Sequence, residues 1–134
     1  MSGAEQRNGE DHPREAGPEQ RHQQHVGLLN LMNNVGLVLI ERGDYGEALK
    51  ALSRAVELSS SATFRNSLGL ALEHTGHYTA AAEAYKAALS ADSGYTRAAT
   101  NLTRVSALTE APGTPAVDLA AQALEFMKEI EGWR

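Results

Sequence analysis

The sequence predicts an all-α fold, a solenoid of helix-turn-helix units followed by a terminal capping helix. Three observations carry this reading. One stretch occurs twice with its chemistry kept: Gly36, Leu37, Gly43, Tyr45, Ala48, Leu52 and Ala55 return 33 residues later as Gly69, Leu70, Gly76, Tyr78, Ala81, Tyr85 and Ala88. Within each copy the apolar residues recur at three- and four-residue steps, the period of a buried helix face. The glycine breakers Gly43 and Gly76 fall at the same register of both copies. A fixed period of this length marks stacked supersecondary units.

Composition bounds the rest. A chain of 134 residues has room for one modest core. A formal charge of −5 and a pI near 5.5, without any Lys/Arg run, argue against nucleic acid as a partner. The chain has no Cys, which excludes disulfides, thiolate zinc sites and a Cys nucleophile. Its first twenty residues lack the apolar run of a signal peptide, and no segment is apolar for long enough to span a membrane. These features lead us to expect a soluble, cytoplasmic protein.

Residues 1–25 hold almost no aliphatic side chains and are expected to form a disordered polar tail. A start of the first helix near Glu19 is compatible with the propensity of EQRHQQH. From Val26 to Arg42 the helical pattern is strong, through Leu28, Leu31, Met32, Val35, Leu39 and Ile40, and Leu29, Gly36 and Leu37 widen the band. A helix apolar over so much of its circumference is packed on more than one side. Gly43 stops it. Asp44 is placed to cap the second helix, with Glu47 completing a capping-box-like pair, and Ala48, Leu49, Leu52, Ala55 and Val56 form its buried stripe. After the SSSA connection at 59–62, the second unit repeats the plan with helices over 63–75 and 78–91.

Asp92-Ser93-Gly94 turns the chain into a fifth helix over 95–109, where the repeat decays: Thr103 stands in place of Gly36 and Gly69. EAPGTP is a breaker cluster. Thr114 as N-cap and Pro115 at the first helical position predict a last helix over 114–134, with an apolar face ending in Phe126, Met127, Ile130 and Trp133. It is expected to cover the open end left by the fifth helix, as a solenoid end requires.

These pairs of helices resemble the tetratricopeptide repeat (TPR) family. Gly36, Gly43, Tyr45, Ala48 and Ala55 match its pattern in the first unit, and Gly69, Gly76, Tyr78, Ala81, Tyr85 and Ala88 in the second. The physical reading agrees: Gly inside a helix costs about 1 kcal/mol relative to Ala, so two such glycines at one register point to a compensating close approach. The resemblance divides the region 26–110 into repeats over 29–61 and 62–95 and a half repeat over 96–109. The family's usual Pro after the second helix is replaced by Ser60 and Ser93, and Phe64 is the nearest counterpart of its early aromatic. The resemblance implies a right-handed superhelix and a binding scaffold rather than a reaction class.

In such an array the concave face is lined by the first helix of each pair. Helical spacing then nominates Asn30, Asn33, Leu37 and Glu41, then Asn66, Leu70 and His74, then Arg97, Asn101 and Arg104. Asn can donate to and accept from a peptide backbone, Arg can grip a carboxylate, and Leu37 and Leu70 can receive an apolar side chain. The expected partner is a peptide or helix of another protein, bound by a non-catalytic adaptor or scaffold. The bland alternative is a solvated polar face whose asparagines tie adjacent helices together. A carboxylate clamp of the type that holds chaperone tails fits poorly, because Leu37 stands where Asn is needed and no Lys lines the face.

No cofactor, metal or catalytic residue is expected. His22/His25 and His74/His77 have i, i+3 spacing, but Gly76 separates the second pair. No phosphate-binding loop, HExxH or nucleophile elbow is present. The Ser run at 59–61 reads as a connection. The main rival account is a self-assembling structural subunit, a homo-oligomer through the terminal helices. A metal-dependent or regulatory enzyme is the remotest reading.

Overall fold

The computed structural model describes the backbone of residues 18–132 and the side chains of residues 27–132. Of the tail expected over 1–25, residues 1–17 lie outside that range, as do the side chains of His22 and His25 and the whole of Trp133. The described chain is all-α: α1 (Pro18–Glu41), α2 (Tyr45–Leu58), α3 (Ala62–His74), α4 (Tyr78–Ala91), α5 (Thr96–Ser106) and α6 (Leu119–Glu131). The helices α1 to α5 stack in sequence as a helix-turn-helix solenoid, α1 on α2, α2 on α3, α3 on α4 and α4 on α5, with α3 also touching α1 and α5.

The two tight turns are built alike. Gly43 and Gly76 have φ of 83° and 82°, the left-handed conformation that glycine adopts without steric cost. Around Gly43, the N–H groups of Gly43 and Asp44 donate to Ile40 and Leu39 at 3.0 and 2.8 Å; around Gly76, those of Gly76 and His77 donate to Glu73 and Leu72 at 3.0 and 2.9 Å. This is the paired closure that satisfies the last carbonyls of a helix ending in glycine. Asp44 makes no side-chain cap; its carboxylate instead faces Arg42 Nε at 3.7 Å. Asp44 has the same cap backbone as His77, φ −86° and ψ 61° against −91° and 70°, and neither side chain caps its helix, so the capping box read from the sequence does not form. Ser61 does cap α3, accepting from Phe64 N–H at 3.1 Å.

The core lies between the two helices of each unit. Leu52, Leu72 and Tyr85 are fully buried, with Leu49, Leu68 and Val105 beside them and Ala48, Ala71 and Ala81 closing the interhelical gaps. The glycines in α1 and α3 explain the tightness. A Cβ on Gly36 would fall 2.6 Å from Leu52 Cγ, and one on Gly69 would fall 2.6 Å from Tyr85 Cδ1. Each unit thus sets a glycine against a large side chain, Leu52 in the first and Tyr85 at the equivalent position of the second.

The C-terminal third departs from expectation. Thr114 does not cap a helix: its hydroxyl turns back to donate to Ala111 O at 2.6 Å, after Gly113 at φ 83°. The last helix begins later, at Leu119, with Asp118 accepting from Ala121 N–H at 3.1 Å. Nor does α6 cover α5. It packs on α2, with Ala123 buried. The segment 107–118 carries the chain there. On the way, Glu110 accepts from Thr79 N–H at 3.0 Å, filling the cap that His77 does not supply to α4, and Val117 packs against the core. Lys50 on α2 then meets Glu129 on α6 at 2.7 Å while holding Glu47 at 3.0 Å. Among the described residues no helix is long and apolar enough to cross a membrane.

Candidate functional site

The first helices of the units, α1, α3 and α5, put their free sides on one face. A groove of about 370 Å³ opens there, mostly between α3 and α5. Leu37 and Leu70 supply its apolar surface. Thr63, Asn66, Thr100 and Asn101 supply its polar surface, and Tyr95 and Arg97 stand at the end formed by the turn into α5.

The polar floor is organised by a chain of hydrogen bonds that starts in the core. The Tyr85 hydroxyl donates to Glu73 Oε1 at 2.8 Å. Arg104 grips the same carboxylate through one edge of its guanidinium, Nε to Oε2 at 2.9 Å and Nη2 to Oε1 at 2.7 Å. Its remaining edge donates from Nη1 to Asn101 Oδ1 at 2.9 Å. Asn101 in turn donates from Nδ2 to Asn66 Oδ1 at 2.9 Å, joining α5 to α3. Both amides are thereby oriented: the Asn66 oxygen and the Asn101 oxygen are each engaged from a fixed direction.

Burial pushes the Glu73 carboxyl up, but the hydrogen bonds from Arg104 and Tyr85 overcome it and hold the group below the ordinary carboxylate range. Burial, reinforced by the neighbouring Glu73 carboxylate, holds the Tyr85 phenol well above the usual tyrosine value. The Glu73 hydrogen bond raises Arg104 despite partial desolvation. The network is charged at neutral pH and internally neutral across the Glu73–Arg104 pair.

Of the residues nominated from the sequence, Leu37, Asn66, Leu70, Arg97 and Asn101 line this groove together. Arg97 is exposed and forms no ion pair with any described residue. Arg104 is a neighbour with a different occupation, because Glu73 already satisfies its fork. Asn33 does not line the groove: it is 4% exposed, and its Oδ1 has no hydrogen-bond partner among the described residues. Its counterpart Asn66 is as deeply buried but finds Asn101 across the α3–α5 boundary. Asn30 and Glu41 are exposed on α1 away from the groove lining. His74 is exposed and stacks flat on Tyr45, with ring centroids 4.7 Å apart and planes 6° apart. Sequence reasoning missed Glu73 and Tyr95. Glu73 sits one residue before the nominated His74, and its pairing with Arg104 depends on the α3–α5 packing distance, which helical spacing does not encode. Among the described residues no group of three His, Asp or Glu side chains is placed to hold a metal ion.

Residues 36–96, from Gly36 late in α1 to the first residue of α5, match the tetratricopeptide repeat family. No curated protein matches the chain.

Proposed function

From the membership of residues 36–96 in the tetratricopeptide repeat family, whose repeats commonly mediate contact between proteins, we propose that this chain is a non-catalytic adaptor that binds an extended segment of another protein in the α3–α5 groove. The observation that carries the reading is the groove's composition. A pre-oriented Asn66–Asn101 pair lies beside two aliphatic side chains, with the cation Arg97, in no ion pair among the described residues, at the end. The amides pair with a peptide backbone. Leu37 and Leu70 take one apolar side chain, and Arg97 takes a carboxylate of the ligand. On this reading the repeats occupy 29–61, 62–95 and 96–109, α6 closes the domain, and the protein works in the cytoplasm without a cofactor.

The test is affinity capture from lysate of the native organism, with wild type beside a Leu70→Asp/Arg97→Glu variant whose thermal melt matches wild type. A protein retained by wild type and lost by the variant supports the groove. Equal capture by both removes it.

A second reading, a homo-oligomer through terminal helices, is favoured by a separate observation. Leu28, Leu31, Val35 and Val38 of α1 and Leu124, Met127 and Ile130 of α6 are all large apolar side chains left exposed.

A further inference from the structure

The helix α1 is apolar on two opposite faces, and only one is used. Leu29, Asn33 and Gly36 turn inward and are buried, with Leu39 and Ile40 packed on the core. On the outward side Leu28, Leu31, Val35 and Val38 are 56%, 57%, 44% and 50% exposed. Their spacing is three, four and three residues, which is the a–d–a–d order of a coiled-coil seam. A surface helix stripe of this kind marks an interface. We propose that the outward seam of α1 packs antiparallel against the same seam of a second copy of this chain. The proposal rests on the second reading above and specifies its surface and register.

Four features select this occupant. First, residues 26–40 contain no charged side chain, so pairing two copies buries no unpaired charge. Second, residues 1–17 contain no Leu, Ile, Val, Phe, Tyr or Trp, so Met1 is the one large apolar side chain that stretch could offer a four-residue seam. Third, the seam is self-complementary when reversed. Leu28 meets the second copy's Val38 and Leu31 meets its Val35, so every layer holds one Leu and one Val and the helix axes stay equidistant. Parallel pairing would stack Leu on Leu at one end and Val on Val at the other, with the β-branched Val38 at a d position, where parallel dimers prefer Leu. Reversal also sets the two helix dipoles head to tail. Fourth, the seam is continuous with further apolar surface. From Leu28 to Val38 it covers about 16 Å of a helix about 10 Å across. It adjoins a groove whose apolar lining is Leu28, Met32, Leu58, Phe126, Met127 and Ile130, with Arg54 and Glu131 beside them. Over two copies this lies at the lower end of interface sizes, below about 1,200 Å². The dimer is accordingly of moderate affinity and concentration-dependent.

The experiment is sedimentation equilibrium of the full chain across a concentration series reaching about 100 µM, beside a Leu31→Lys/Val35→Lys variant. Both side chains point to solvent in the single copy, so the variant keeps its circular dichroism spectrum. The expected result is a mass rising from 14.3 kDa toward twice that value for wild type, and association weakened at least about hundredfold in the variant. Cysteine pairing supplies a second measurement that does not depend on the lysine variant folding, since the native chain has no thiol. Leu31→Cys chains mixed with Val35→Cys chains should form a disulfide-linked pair under mild oxidation, and each alone should not. A monomeric wild type at every concentration overturns self-assembly altogether. A dimer unaffected by the lysine substitutions leaves self-assembly standing and overturns the α1 seam. Disulfides formed only between identical positions overturn the antiparallel register.

Discussion

Asn101 and Asn66 are joined by a 2.9 Å hydrogen bond from amide to amide across the α3–α5 boundary. The bond sits at the end of a relay that begins at the fully buried Tyr85 and passes through Glu73 and Arg104. The groove floor is thus tied to the core. Changes in the core network should reach the groove.

Glycine to alanine substitutions should separate the two units. At Gly69 the added methyl meets the Tyr85 ring, which is rigid, fully buried and held by its hydroxyl to Glu73. At Gly36 it meets the branched end of Leu52, which can change rotamer. The helix preference for Ala returns about 1 kcal/mol in both cases. Overpacking should exceed it at Gly69, giving a net loss of about 1–3 kcal/mol, and Gly36→Ala should cost less. Urea denaturation of the two variants measures the difference.

Acid should unfold the protein partly through Glu73. Its carboxyl is held below the ordinary range in the folded state, so it contributes stability that is fully present above the unfolded value and lost as pH falls through the folded one. Glu73→Gln should remove that dependence. The variant should melt lower than wild type at neutral pH, by about 1 kcal/mol, and the gap should narrow toward pH 3. Thermal melts across that range check the sign.

The docking of α6 should be separable from the repeats. Ala123 is 1% exposed against α2, and a glutamate there has no room and no partner. Ala123→Glu should release α6 while α2 to α4 stay folded. Hydrogen exchange should show the amides of 119–131 unprotected and those of 45–91 still slow. Loss of protection throughout would mean that α6 is integral to the core.

Asn33 should tolerate an apolar replacement. Its Oδ1 is buried without a partner, a burden of about 1–3 kcal/mol in such positions. Asn33→Leu should therefore raise stability, or leave it unchanged where the branched side chain crowds α2, and should leave ligand binding in the α3–α5 groove unaffected. Denaturant midpoints and binding measured on one preparation test both parts.

Much of this architecture was legible in the sequence because it depends on local chemistry. Gly43 and Gly76 announce left-handed helix ends, the 78–91 helix is bounded as its spacing predicts, and Gly36 and Gly69 mark close approach because no other reason for glycine exists in mid-helix. What was not legible depends on distance. Asn30, Asn33, Asn66 and Asn101 look alike in sequence, yet Asn33 is inside, Asn66 is bonded across helices and Asn30 is in solvent. Arg97 and Arg104 look alike as anion binders, yet Glu73 occupies only the second. The placement of α6 follows from where residues 107–118 are pinned, at Thr79 through Glu110, and not from any periodicity. The Asp44 cap is absent at a backbone conformation, φ −86° and ψ 61°, that residue types alone do not reveal.

The most direct test of the adaptor reading is amide chemical-shift mapping of the full chain with a linear peptide selected for binding to it. Shifts should concentrate at Leu37, Asn66, Leu70, Arg97 and Asn101 and be abolished by Leu70→Asp/Arg97→Glu. Shifts confined to the outward side of α1 or to α6, with the groove silent, would contradict it.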